Sequence, residues 1–155
     1  MKSGAPGPKA LVEKLKAAAA TEKVFAQAFD PSAIVSERQL ASAFLLAKKS
    51  FENGGSRSKT LEAEVLAKAA ATPRLEEAIP KVGVKSAKEF ILFTTAKGKK
   101  LERLLEEIGA TAKKPGFKPD KKKICALYKI DGKLLKDYSL EELVLEQVAL
   151  SGIGK

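Results

Sequence analysis

Residues 36–55 read Ser36-Glu37-Arg38-Gln39-Leu40-Ala41-Ser42-Ala43-Phe44-Leu45-Leu46-Ala47-Lys48-Lys49-Ser50-Phe51-Glu52-Asn53-Gly54-Gly55. Leu40, Ala43, Phe44, Ala47 and Phe51 recur at i, i+3, i+4, i+7 and i+11, the period of a helix with one apolar face. Ser36-Glu37-Arg38-Gln39 has the form of a capping box at its start, and Gly54-Gly55 breaks it at the end. A helix with one apolar face needs a covering layer, so the neighbouring segments decide what kind of core it joins.

Upstream, Val24–Phe29 followed by Asp30-Pro31 reads as a strand ended by a turn, and Leu11, Val12, Leu15, Ala18 and Ala19 predict a helix from Lys9 to Ala20. Residues 1–8, with two prolines and two glycines, read as a flexible leader, leaving 9–155 as a single domain. Downstream, a helix is expected from about Lys59 to Ala71. Thr72-Pro73 restarts another with proline at its first position, ending near Gly83. Phe90-Ile91-Leu92-Phe93 is continuously apolar and predicts a central strand covered on both faces. Leu101, Leu104, Leu105 and Ile108 form a further helix closed by Gly109. Residues 110–119 are expected to hold a short edge strand. Asp120 then caps a helix carrying Ile124, Leu127 and Tyr128, and Ser139-Leu140-Glu141-Glu142 opens the last helix, to about Leu150, as a second capping box. Strands separated by helices give an α/β (mixed α+β) class, a small mixed β-sheet covered by several helices.

Lys and Arg outnumber Asp and Glu by 29 to 19, a formal charge of +10 with a pI near 9.6. Such a balance favours a polyanionic partner, RNA, DNA or an acidic protein, over a merely soluble basic surface. The chain has no histidine, which excludes Ser-His and Cys-His nucleophile pairs and His-based zinc sites. Lone Cys125 cannot form an internal disulfide, which suits a reducing compartment, and it reads as a small buried hydrophobe. No apolar run approaches the roughly 20 residues that cross a bilayer, and the first residues lack the apolar centre of a signal peptide, so the expected location is cytoplasmic, without a membrane. There is no phosphate-cradling glycine loop and no catalytic carboxylate spacing. The expectation is a non-enzyme with no cofactor and no metal.

Gly54-Gly55-Ser56-Arg57-Ser58-Lys59-Thr60-Leu61 places two cations and two hydroxyls at a helix opening. Helix N-termini favour carboxylates, so Arg57 and Lys59 stand against that preference unless a phosphate docks there; alternatively Ser58 is an N-cap and the cations face solvent. With Ser56, Lys68 and Arg74 these residues form a candidate anion pocket suited to a chain end, although Glu64 and Lys68 at i, i+4 also make an ordinary surface pair. The segment 113–123 holds six lysines; without interleaved aromatics for stacking bases, a solvated loop is its simpler reading. In the last helix Leu140, Leu143, Val144, Val148 and Leu150 cluster on one side, while Leu145 and Ala149 lie beside Glu141 and Glu142. One face packs on the core and the other wants a partner, unless the helix is buried all round.

The blocks DPSAIVSERQLASAFLLAKKSFENG, SRSKTLEAEVLAKAA, LEEAIPKVGVK and YSLEELVLEQVAL, in that order across residues 24–151, resemble the kinase-binding small subunit of the KEOPS complex in its archaeal form. That resemblance implies a non-catalytic subunit of the machinery that makes tRNA threonylcarbamoyladenosine. It implies docking on the kinase-like ATPase subunit of the complex and, through it, contact with the rest of the complex. It also implies capture of the single-stranded 3′ CCA end of tRNA. Where the family tends to have Gly and Gln, this chain has Ala71 and Arg74, while Lys68 keeps the usual basic character. The assignment expected from the resemblance is RNA contact by Ser56, Arg57, Ser58, Lys59, Lys68 and Arg74, and partner contact by Leu140, Leu143, Val144, Leu145, Val148 and Ala149. The alternatives are a purely structural adaptor whose basic surface meets an acidic protein, and a small enzyme with an unrecognised carboxylate pair.

Overall fold

The computed structural model describes residues 7–54, 60–72, 74–86, 88–112 and 117–151. Their elements run α1 (Pro8–Glu22), β1 (Ala26–Phe29), α2 (Glu37–Glu52), α3 (Leu61–Ala69), α4 (Leu75–Val82), β2 (Ile91–Thr94), α5 (Gly98–Ile108), α6 (Lys121–Leu127), a 3-10 turn (Gly132–Lys136) and α7 (Leu140–Ser151). The class is mixed α+β. Pro8 starts α1 at a position where its missing N–H costs nothing, so the helix begins inside the expected leader.

β1 and β2 pair antiparallel, Ala26 opposite Thr94 and Phe29 opposite Ile91. The sheet therefore has two strands and neither is central. Even so, both faces are covered, because side chains alternate along a strand. Phe25, Phe29, Ile91 and Phe93 face the larger core with α2, α3, α4, α6 and α7. Ala26, Ala28, Phe90 and Leu92 face a smaller one built by Leu11, Leu15, Ala18, Ala19, Leu104 and Ile108 of α1 and α5. The continuous apolar run at 90–93 reflects this two-sided cover. Residues 110–112 and 117–120 form no strand, and Lys113 to Gly116 lie outside the described residues.

Three aromatic rings tie β1, β2 and α2 together: Phe25, Phe44 and Phe93 meet edge to face with centroids 5.0–5.9 Å apart. On the opposite side Arg103 of α5 grips Glu22 of α1 with both carboxylate oxygens at 2.9–3.1 Å.

The second capping box forms as expected: Ser139 N–H donates to Glu142 Oε1 at 2.8 Å, and Glu142 N–H donates to Ser139 Oγ at 3.1 Å. The first does not. Ser36 is the N-cap of α2 without a side-chain bond, because Gln39 turns inward. Its Oε1 accepts from Val35 N–H at 2.8 Å, and its Nε2 donates to Ala69 O at 2.8 Å and Tyr128 Oη at 2.5 Å. Tyr128 Oη in turn donates to Ala69 O at 2.9 Å or to Ala33 O at 3.2 Å. Gln39 is wholly buried and Tyr128 nearly so. Burial holds the phenol proton on far above its ordinary range, although the Gln39 bond opposes this. A buried polar network costs stability only where it is left unsatisfied; here it joins α2, α6 and the end of α3.

Candidate functional site

The end of α3 and the start of α4 are built by that network. α3 is capped by Thr60, whose Oγ1 accepts from Ala63 N–H at 3.1 Å, rather than by Ser58. Glu62 and Glu64 sit in its first turn and meet the positive helix end. Ser56, Arg57, Ser58 and Lys59 lie outside the described residues.

At its C-terminus α3 closes in a Schellman turn: Ala71 N–H donates to Lys68 O at 3.0 Å and Thr72 N–H to Ala67 O at 3.1 Å. Ala71 takes φ +57°, the left-handed region normally left to glycine. Lys129 does the same after α6 at φ +55°, with Ile130 N–H reaching Cys125 O at 2.9 Å. Cys125 itself is a free, half-buried thiol. Thr72 then starts the approach to α4. Its Oγ1 donates to Glu77 Oε1 at 2.9 Å and accepts from Arg74 N–H at 3.3 Å. α4 begins at Leu75 with Arg74 as its N-cap, and Pro73 lies outside the described residues.

These two turns flank a cleft of about 190 Å³ bordered by Ala71, Thr72, Glu77, Lys81, Lys129 and Gln147. Lys68 and Arg74 belong to the same stretch of chain, but their charges are differently placed. Lys68 pairs with Glu64 at 3.5 Å with both side chains largely buried, so this is no open surface pair. Arg74 is exposed and lies 3.9 Å from Glu77. Thr60 and Lys68 stand at opposite ends of α3, about 12 Å apart along its axis. Of the cations expected from the sequence, Lys68 and Arg74 lie at the end of α3 and the start of α4, while Arg57 and Lys59 lie outside the described residues. Lys81 and Lys129 were missed, because nothing in their local sequence marks them as neighbours across α4 and α6.

α7 lies along α2 and touches α3. Arg38 and Glu141 meet at 3.7 Å where the two helices begin. Leu143, Val144 and Val148 are buried in the chain's own core, and Leu140 is partly buried against it. These four pack within the chain itself. On the same helix Leu145 is half-buried, and Ala149 and Leu150 are exposed. Leu45 on α2 is 62 % exposed.

No helix among the described residues is long and apolar enough to cross a membrane, and no three metal-ligating side chains gather there. A comparison with curated proteins gives no significant match. The family model described as "Kinase binding protein CGI-121" matches residues 7–152, almost the whole chain. The chain belongs to that family, the family of the KEOPS small subunit, whose members are kinase-binding proteins.

Proposed function

We propose that this protein is a non-catalytic adaptor of the KEOPS complex, which docks on the kinase-like ATPase subunit and holds the 3′ CCA end of tRNA during threonylcarbamoyladenosine synthesis in the cytoplasm. The observation that supports RNA capture best is the cleft at the end of α3, lined by Lys81 and Lys129, with Arg74 beside its Glu77 and the turn at its edge held by Gln39 and Tyr128. Lys68 supplies a further cation behind that turn, already balanced by Glu64. Ser56, Arg57, Ser58 and Lys59, which precede α3 in the sequence, are assigned to RNA contact on the family resemblance alone. Docking is assigned to the outer side of α7, through Leu145 and Ala149 with Leu150 beyond them, since a few apolar anchors dominate most interfaces.

One set of binding measurements tests both halves. Intact tRNA is expected to bind more tightly than tRNA lacking CCA, and Arg74→Glu with Lys81→Glu removes the difference. Leu145→Glu abolishes co-purification with the kinase-like subunit while leaving tRNA binding and the melting temperature unchanged. Equal binding of the two RNAs by the unmodified protein refutes the CCA assignment, and retained co-purification of Leu145→Glu refutes the docking face.

A further inference from the structure

At the other end of α4, two segments far apart in sequence close on the turn that follows β1. Asp30 N–H donates to Val82 O at 2.9 Å, which ties that turn to the last residue of α4. Gly83 then leaves the helix so tightly that a Cβ there would stand 2.5 Å from Ile79 O. This close exit carries the chain to Lys85, whose ammonium donates to the carbonyls of Pro80 and Gly83. From the other direction Lys118 N–H donates to Pro31 O at 3.2 Å and Asp120 N–H to Ser32 O at 3.0 Å. Those two bonds clip the lysine-rich segment onto the turn.

Between them lies a cleft of about 300 Å³ lined by Asp30, Ser32, Lys85, Lys88, Glu89 and Lys118. Its carboxylates are already taken. Asp30 Oδ2 accepts from Lys123 Nζ at 2.6 Å, and Glu89 Oε2 accepts from Lys118 Nζ at 2.7 Å. Neither Lys85 nor Lys88 has a carboxylate within ion-pair distance among the described residues. Burial lowers the pKa of Lys85 against the pull of Asp30, with a still smaller push down from Lys123. A cation in that position gains most from an anion that enters the cleft.

We infer that this cleft holds a backbone phosphate of RNA, a second point of contact on the RNA whose 3′ end the preceding reading puts at the start of α4. The inference rests on that reading for its choice of RNA over an acidic protein. Geometry favours it as well: α4 has 8 residues and so spans about 12 Å. A nucleic-acid strand advances about 3.4 Å per phosphate along a duplex, so a few nucleotides bridge the two sites. A concave site with two uncompensated ammonium groups fits a compact oxyanion.

The test is the salt dependence of binding to intact tRNA and to tRNA lacking CCA. Each phosphate contact contributes about one unit to the slope of log affinity against log salt. The Lys85→Ala/Lys88→Ala double variant is expected to lower that slope by about one to two units for both RNAs. Arg74→Glu, by contrast, affects the intact RNA alone. If the CCA reading fails but the double variant still lowers both slopes, the cleft stands as an RNA site by itself. An unchanged slope with both RNAs overturns it, including when the variant loses affinity only for an acidic protein. Lys88→Glu guards against a folding defect, because the Lys88 ammonium bonds to no described group; it must weaken both RNAs, and unaltered binding again overturns the inference.

Discussion

The two layers covering the sheet differ in what they bury. The fully buried described residues of the α1 and α5 side are apolar, chiefly alanines and leucines against Ala26, Ala28 and Leu92, with the Glu22–Arg103 pair at its edge. Among the described residues the four buried polar or charged ones, Asp30, Gln39, Glu64 and Thr72, sit on the other side or at its rim. Both clefts open there too. Burying polar groups costs free energy unless each finds a partner, so a fold that only needed a lid for its sheet could do without them. Their concentration on one side marks where the chain spends its geometry on positioning loops.

The largest effects should come from one deletion in each layer. Leu104→Ala empties a fully buried site between α1 and α5 and is expected to cost about 3 kcal/mol. Gln39→Ala strands Val35 N–H and leaves Ala69 O and the Tyr128 hydroxyl with only each other and Ala33 O beside an emptied buried site, also at about 3 kcal/mol. Denaturant unfolding should find the two alike. RNA titration well below melting should separate them: only Gln39→Ala loosens the turn at Ala70–Thr72 and weakens binding. If both variants bind RNA equally well, the division of labour between the layers is wrong.

A smaller effect sharpens the comparison at the rim. Burial alone would raise the pKa of Asp30, but hydrogen bonds from Lys123 and Ser32 outweigh it and leave the carboxyl below its ordinary value. A depressed carboxylate contributes stability that is complete above the unfolded value, about 3.9, and is lost as pH falls through the folded one. Lys123→Ala should therefore cost about 2 kcal/mol at pH 7. The gap from the parent protein should narrow in unfolding measurements once the pH falls below about 3.9, and close only below the depressed pKa of Asp30, where the carboxyl is protonated in both. A gap independent of pH would mean that Lys123 acts by packing its stem alone.

The smallest expected change is a gain. Ala71→Gly relieves a left-handed alanine and should stabilise by about 0.5–1 kcal/mol, read as a rise in melting temperature. A fall would show that the Ala71 methyl is held there for its contacts.

Helices whose apolar residues keep a 3.6-residue period were legible from the sequence, as Leu40, Ala43 and Ala47 on α2 illustrate. So was the capping box at Ser139, which uses only neighbours three residues apart. Gln39 was misread because the same motif looks identical whether its third residue turns back to the cap or inward to Tyr128, 89 positions away. Phe90–Phe93 was correctly read as covered on both faces, yet the number of strands beside it depends on pairing that no local pattern encodes. The candidate site was legible in part. Lys68 and Arg74 do fall near one turn, but the pairing of Lys68 with Glu64, and the approach of Lys85 and Lys88 to Lys118, depend on how α4 is laid against the end of β1.

The sheet has a consequence for how copies of the chain meet. With two strands and no other pairing to β2 among the described residues, each strand is an edge. An edge offers unpaired N–H and C=O groups as a template for another molecule. Each strand is only four residues long, and β1 is stopped at Phe29 by its bridge to Gly83. Brevity gives this edge little to seed an intermolecular sheet, so extending β2 beyond Thr94 with apolar residues is expected to promote aggregation.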